Sequence, residues 1–303
     1  MWSSEYWAKK GDVELFMWRK RKDDPASGGE RPVFFLVHGS SFSGPSGFDM
    51  QIEGRDYSFM DKFAEYGFDV WTLDHECYGR STRTDSNSDI ASGAEDLDAG
   101  MKVVERETGQ KRYAFYGQSS GALRAALFAQ KYPHWVERLV LDAFVWTGEG
   151  SPTLIKRAEN LDQFRSSNTR PSDRAFFHSI FNRDKPGTSE TIVADKLADL
   201  ELAMGDKIPT GTYLDMCANL PVVDPELIQC PVLIVRGEFD GIATEDDLIE
   251  FWKRLPNKDK HFSILTGQAH VAPLGINRHR FWHVVHAFLT MPPRRDTEAS
   301  KAE

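Results

Sequence analysis

The sequence predicts an α/β fold: a mostly parallel central sheet flanked by helices, with a helical segment inserted into it. Three observations carry this. Short strand-like stretches rich in apolar residues at 33–37, 68–73, 136–145 and 231–235, the first of them continuously apolar, alternate with helix-period patterns, as expected for a wound parallel sheet. The run Tyr113-Ala114-Phe115-Tyr116 enters Gly117-Gln118-Ser119-Ser120-Gly121, and a helical pattern (Ala122, Leu123, Ala125, Ala126, Leu127, Ala129) begins at once. A strand must therefore turn sharply into a helix with Ser119 at the apex, and side chains at 117 and 121 would collide with the turn and the adjoining backbone. Finally, from 147 to 215 the β-branched runs disappear and helical patterns take over.

Taken in order, residues 3–8 and 13–18 read as two strands around a Lys10-Gly11-Asp12 turn, and residues 23–30 as a polar loop. The strand at 33–37 ends in His38-Gly39-Ser40-Ser41-Phe42-Ser43-Gly44. Phe59, Met60, Phe63 and Ala64 give residues 57–66 helical spacing, and Gly67 stops that helix. The strand at 68–73 runs into Asp74-His75-Glu76-Cys77-Tyr78-Gly79-Arg80-Ser81. An amphipathic helix spans 92–107 and ends at Gly109, and the helix after Ser119 stops near Tyr132-Pro133. After the helical insertion a strand at 231–235 leads to Gly237-Glu238-Phe239-Asp240, with a helix from about Thr244. The last strand, 262–265, leads to Thr266-Gly267-Gln268-Ala269-His270, then a closing helix over 278–290.

Composition bounds the function. The chain has 303 residues, enough for a large core, with 40% hydrophobic and 27% charged residues. A net charge of -9 argues against a general nucleic-acid or anionic-membrane partner. Cys77, Cys217 and Cys230 are widely spaced, odd in number and without metal spacing, so reduced thiols are expected. No basic-then-apolar leader and no run of membrane-spanning length is present, so a cytoplasmic protein is the default expectation.

With these residues in place, the chain resembles the α/β-hydrolases, nearest to the monoacylglycerol-lipase-like or serine-aminopeptidase-like branch. The resemblance rests on four landmarks in the family's order: the His38-Gly39 loop, Gly-x-Ser-x-Gly at 117–121, Gly-x-x-Asp at 237–240, and His270 in the loop after the last strand. It implies an α/β-hydrolase core over 1–146 and 216–291, within which the helical patterns over 147–215 read as an inserted cap, and residues 292–303 read from their composition as a polar tail. It also implies a triad of Ser119 (nucleophile), His270 (base) and Asp240 (acid), with an oxyanion hole formed by the N–H groups of Ser40 and Ser120, Ser41 being a less favoured substitute for Ser40. The chemistry fits those residue types, because a serine hydroxyl needs an adjacent base and the base needs an orienting carboxylate.

Position along the chain separates the competing assignments. Asp74 and His75 precede Ser119, the wrong order for this fold, and His38 reads as a structural residue of its loop. Asp142, within a strand, is an alternative acid for which a structural role is favoured. His261 opens a strand, while His279, His283 and His286 fall at helical spacing in the last helix, where packing explains them more simply than a metal. No metal and no nicotinamide or flavin is implied. The cap arginines (Arg157, Arg165, Arg170, Arg174, Arg183) could meet an acidic substrate, although a solvated helical face is the simpler reading. A serine nucleophile implies an acyl-enzyme route, with ester hydrolysis of a small or medium molecule carrying an apolar acyl or aryl part as the leading expectation. Amide, lactone or carbon–carbon hydrolysis by the same triad is the alternative, and a ligand-binding protein with a slow triad a lesser one. The sequence does not set the oligomeric state.

Overall fold

The computed structural model describes residues 1–292. The expected tail therefore lies, from 293 onward, outside the described residues. In chain order the elements are β1 (Trp2–Lys10), β2 (Val13–Arg21), α1 (Pro25–Gly28), β3 (Val33–Val37), α2 (Gly44–Phe48), α3 (Phe59–Glu65), β4 (Asp69–Leu73), α4 (Ile90–Thr108), β5 (Tyr113–Gln118), α5 (Ser120–Lys131) and β6 (Val136–Asp142). Then follow α6 (Pro152–Ala158), α7 (Leu161–Ser166), β7 (Thr169–Pro171), α8 (Arg174–Asn182), α9 (Thr191–Leu202), β8 (Lys207–Pro209) and α10 (Gly211–Ala218). The chain closes with β9 (Val232–Gly237), α11 (Glu245–Arg254), β10 (Lys260–Leu265) and α12 (Arg278–Leu289).

Eight strands form one sheet in the order β1-β2-β4-β3-β5-β6-β9-β10. The β1–β2 and β2–β4 pairs are antiparallel, and all pairs from β4 to β10 are parallel. The apolar runs of the central strands serve two cores at once. Val33, Phe35 and Val37 of β3 face the core under α4 and α5, whereas Phe34 and Leu36 face the one under α3 and α12. In β5, Tyr113 and Phe115 join the first core and Ala114 and Tyr116 the second. Successive residues of a strand point to opposite faces, so a continuous apolar run is what a doubly covered strand needs.

The segment between β6 and β9 is mainly helical. A third core joins Phe177, Ile180 and Phe181 of α8 and Val193, Ala194 and Leu197 of α9 to Phe42, Tyr57, Tyr78, Val271 and Leu274 of the loops beyond the sheet. Polar contacts reinforce this seat. Glu201 of α9 accepts from the N–H and hydroxyl of Ser43, at 2.9 and 2.7 Å. Asp247 of α11 accepts from the N–H groups of Trp146 and Thr147, each at 2.9 Å, where the chain leaves β6. Among the described residues no helix is long and apolar enough to cross a membrane.

Candidate active site

Ser119 stands between β5 and α5 with φ 57° and ψ -125°, a left-handed backbone that a serine adopts only when its surroundings hold it there. The surroundings are the close approach of three backbones. A Cβ on Gly117 would lie 2.4 Å from the carbonyl oxygen of Gly121, and one on Gly121 would lie 2.3 Å from that of Val37. The N–H of Ser119 donates to the carbonyl of Asp142 at 2.9 Å, fixing the turn against β6.

The three residues expected to act together converge from three separate strand ends. His270 Nε2 lies 3.1 Å from the Ser119 hydroxyl oxygen, and His270 Nδ1 lies 2.9 Å from Asp240 Oδ1. That same oxygen accepts the Ile242 N–H at 3.0 Å. Burial alone would push the Asp240 carboxyl up. The adjacent imidazole, the Ile242 amide and the Arg183 guanidinium outweigh it and hold the group below the usual carboxylate range. All three side chains are largely buried.

Ser40 follows β3 and its carbonyl accepts from Tyr78 Oη at 3.2 Å and Arg170 Nη2 at 3.0 Å. Ser120 is the first residue of α5. Neither N–H has a hydrogen-bond acceptor among the described residues, while Ser40 and Ser41 line the same small pocket as Ser119 and His270.

The side chains set aside have other partners. His38 Nε2 accepts the His75 N–H at 3.0 Å, so its Nδ1 carries the proton and donates to the Gly39 carbonyl at 2.8 Å. Burial drives His38 and His75 well below the usual histidine range, leaving both neutral. Asp74 accepts the N–H groups of Gly44 and Arg80, each at 2.9 Å. Asp142 accepts from Tyr116 Oη at 2.7 Å, and burial keeps its carboxyl well above the ordinary value.

Several neighbours carry no individual assignment from sequence. Asp184, Asp240 and His270 bring ligand-type atoms within 4.8 Å of one another. Both nitrogens of His270 are already directed at Ser119 and Asp240, so a cation there would have to displace one of these two contacts. The pocket beside Ser119 has a volume of about 20 Å³ and is walled by Phe42, Ile180, Arg157, Arg183 and Val271. Beyond it lies a second cavity of about 680 Å³, built from α6, α8, α10 and the Phe239–Gly241 turn. Arg157, Ile180 and Arg183 line both and so form the partition between them. Nothing in the local sequence signals Tyr213 or Asp184, because each reaches the site only through the packing of the inserted helices.

A strained serine at a strand-to-helix turn, with a histidine and a carboxylate delivered from later strand ends, defines the α/β-hydrolase class. The family model for serine aminopeptidase, S33, matches residues 47–273, and the chain belongs to that family. No curated protein sequence matches it. Similar solved structures include the enol-lactonase from Burkholderia xenovorans LB400, with TM-score 0.67 and 18% identity over 94% of this chain and 100% of that one. Carboxylesterase CesB (YbfK) from Bacillus subtilis gives TM-score 0.68 and 16% identity over 97% and 93%. A thermophilic esterase from Thermogutta terrifontis gives TM-score 0.66 and 17% identity over 95% and 98%. At these identities the likeness is one of fold. The family match makes this chain a hydrolase.

Proposed function

We propose that the chain is a serine hydrolase that cleaves a carboxylic ester of a small or medium substrate through an acyl-enzyme. The observation that carries the reading is the hydrogen-bonded series Asp240, His270, Ser119 at the strained turn. In the proposed mechanism the Ser119 oxygen attacks the ester carbonyl while His270 Nε2 takes its proton. Asp240 holds the imidazole in the required tautomer and stabilises the imidazolium. The N–H groups of Ser40 and Ser120 receive the negative charge that develops on the carbonyl oxygen, a contribution of about 3 kcal/mol per donor. His270 then protonates the leaving alcohol, and water releases the acid by the reverse sequence. Residues 147–215 act as a cap that selects substrate and limits water access, although α10 continues through 215 to Ala218. Three free cysteines, two of them buried, accord with a reducing compartment such as the cytoplasm. The proposal involves no nucleic-acid partner and no cofactor.

The test is stopped-flow hydrolysis of p-nitrophenyl esters of increasing acyl length. The expected result is a burst of nitrophenol equal to the enzyme concentration, lost in Ser119→Ala. A folded wild type that turns over none of the esters would overturn ester cleavage and direct attention to amides, lactones and carbon–carbon bonds.

A further inference from the structure

The five cap arginines do not share one environment. Arg174 pairs with Asp195 and Asp199, and Arg165 lies 3.8 Å from Asp162, both on the outside. These two fit the solvated face expected from sequence. Arg183 pairs with the neighbouring Asp184 at 3.1 Å. Arg157 and Arg170 differ, having no carboxylate partner among the described residues. Arg170 is buried and spends one donor on the Ser40 carbonyl. Arg157 is half-buried, and its one hydrogen-bond contact among the described residues is Met216 Sδ at 3.9 Å. Both guanidiniums pack on Tyr213, with their carbons 3.7 and 4.0 Å from the ring centre.

This arrangement is costly as it stands. Withdrawing two guanidiniums from water around one phenol leaves desolvation partly unanswered, because the Tyr213 ring and hydroxyl can offset at most one of the two positive charges. The outer cavity makes the imbalance directional. Lys156, Arg157 and Arg183 line it against the single carboxylate of Asp184. That is a local excess of positive charge in a chain whose formal net charge is -9. Arg157 also reaches the small pocket beside Ser119 and His270, so an anion held by it would sit within a short molecule's length of the nucleophile.

We propose that the outer cavity is an anion subsite in which Arg157 pairs with a carboxylate on the substrate, making this enzyme selective for half-esters of short dicarboxylic acids. The inference rests on the ester-hydrolase reading above for the bond cleaved, but not for the binding. One guanidinium fork, stacked on Tyr213 and so fixed in its plane, matches the two oxygens of one carboxylate. Ile180 and the ring of Phe176 supply the apolar wall for the connecting methylenes.

Two experiments separate this proposal from the one it deepens. Calorimetry on Ser119→Ala with straight-chain dicarboxylates from malonate to adipate, and with inorganic phosphate, needs no turnover. Saturable binding of at least one dicarboxylate is expected, weakened about ten- to a hundredfold by adding Arg157→Gln, as for loss of a charge-assisted hydrogen-bonded pair. Adding Arg157→Lys keeps the charge but not the fork, so a smaller loss is expected, and this variant decides the matter should the glutamine variant fail to fold. Binding of no dicarboxylate, binding indifferent to residue 157, or binding of phosphate alone would each overturn the proposal. Alongside, kcat/KM is compared for the mono-p-nitrophenyl ester of a binding dicarboxylate and its methyl-capped neutral twin. The free carboxylate is expected to raise it about tenfold or more in wild type, and the ratio to collapse in Arg157→Gln. A ratio near one in wild type would overturn the subsite even if both esters are hydrolysed.

Discussion

Tyr213 shows how strongly one residue can be governed by its neighbours. Burial pushes its phenol up, but Arg157, Arg170, a hydrogen bond with Ser41 and Arg183 overcome that and bring it down to about 7. An acid whose folded value is depressed adds stability that is fully present above its unfolded value and is lost as pH falls through the folded one. For Tyr213 that window runs from about 10 down to about 7. A near-ultraviolet titration of the native protein should therefore show one tyrosinate forming near neutral pH. The band should be missing in Tyr213→Phe and displaced to higher pH in Arg157→Gln. If native tyrosines titrate only in the ordinary range, the cationic surroundings assigned to this ring are wrong. At Asp240, Oδ1 takes both the His270 and Ile242 contacts while Oδ2 has no hydrogen-bond partner among the described residues. An asparagine can keep both contacts through its own Oδ1, so Asp240→Asn removes charge with little change of shape. We expect a folded enzyme with kcat on the proposed ester reduced by about 10²- to 10⁴-fold. An unchanged kcat would show that the imidazolium needs no stabilisation from this carboxylate.

At the scale of elements, the strand-to-helix turn is the least forgiving part of the fold. The Cβ of a Gly121→Ala variant would meet the carbonyl oxygens of Val37 and His38 at 2.3 and 2.5 Å, atoms held in the sheet and its following loop. Gly109, the C-cap of α4, has φ 71°, and a methyl group there would meet nothing within 4 Å among the described residues, so Gly109→Ala costs only backbone strain. Urea denaturation should register about 3 kcal/mol or more for Gly121→Ala and about 1–2 kcal/mol for Gly109→Ala. Comparable losses would mean that the elbow yields more easily than its contacts indicate. The same turn is legible in the sequence because its glycines mark a backbone requirement that no other residue meets. The central strands are legible for a related reason: double burial favours runs rich in apolar residues, unbroken in β3. Where charge intrudes, legibility ends. The apolar pattern predicts a second strand ending at residue 18, yet β2 continues to Arg21. Arg19 there is buried against Asp69, with its Nε 2.9 Å from Oδ1, and Lys20 meets Asp49 at 2.8 Å. A partnered charge inside a sheet looks, in sequence, like the end of a strand. The short elements α2, β7 and β8 escape a sequence reading because three to five residues carry too little periodicity to stand out.

The whole molecule joins what the sequence could order but not assemble. Ser119, Asp240 and His270 can be singled out by their order along the chain and their places after strands, and the fold brings them within hydrogen-bond reach across up to 151 residues. The cap cannot be read in the same way, because whether an arginine meets water, a carboxylate or a tyrosine ring depends on how separate helices pack. The same packing writes opposing pH terms into global stability. His38 and His75 are buried neutral, so the unfolded chain binds more protons below about 6.5 and stability rises with pH toward that value. Asp74 works in the other direction. Burial outweighs the Arg80 and Gly44 amides and lifts its carboxyl from 3.8 to about 7. Between those values the folded protein holds a proton that the unfolded chain has released, so stability falls as pH rises through the window. Glu201 and Asp142, also raised by burial, add to that fall. A wild-type profile mixes all these terms, but the difference between wild type and Asp74→Asn isolates one. Denaturation at intervals from pH 4 to pH 8 should show wild type losing about 4 kcal/mol relative to the variant across the window, the linkage value of a shift of about three units, and then levelling off. A difference that stays constant with pH would mean that Asp74 is ionised throughout. The loop bracing Gly44 and Arg80 would then be held by a buried charge rather than by a neutral acid.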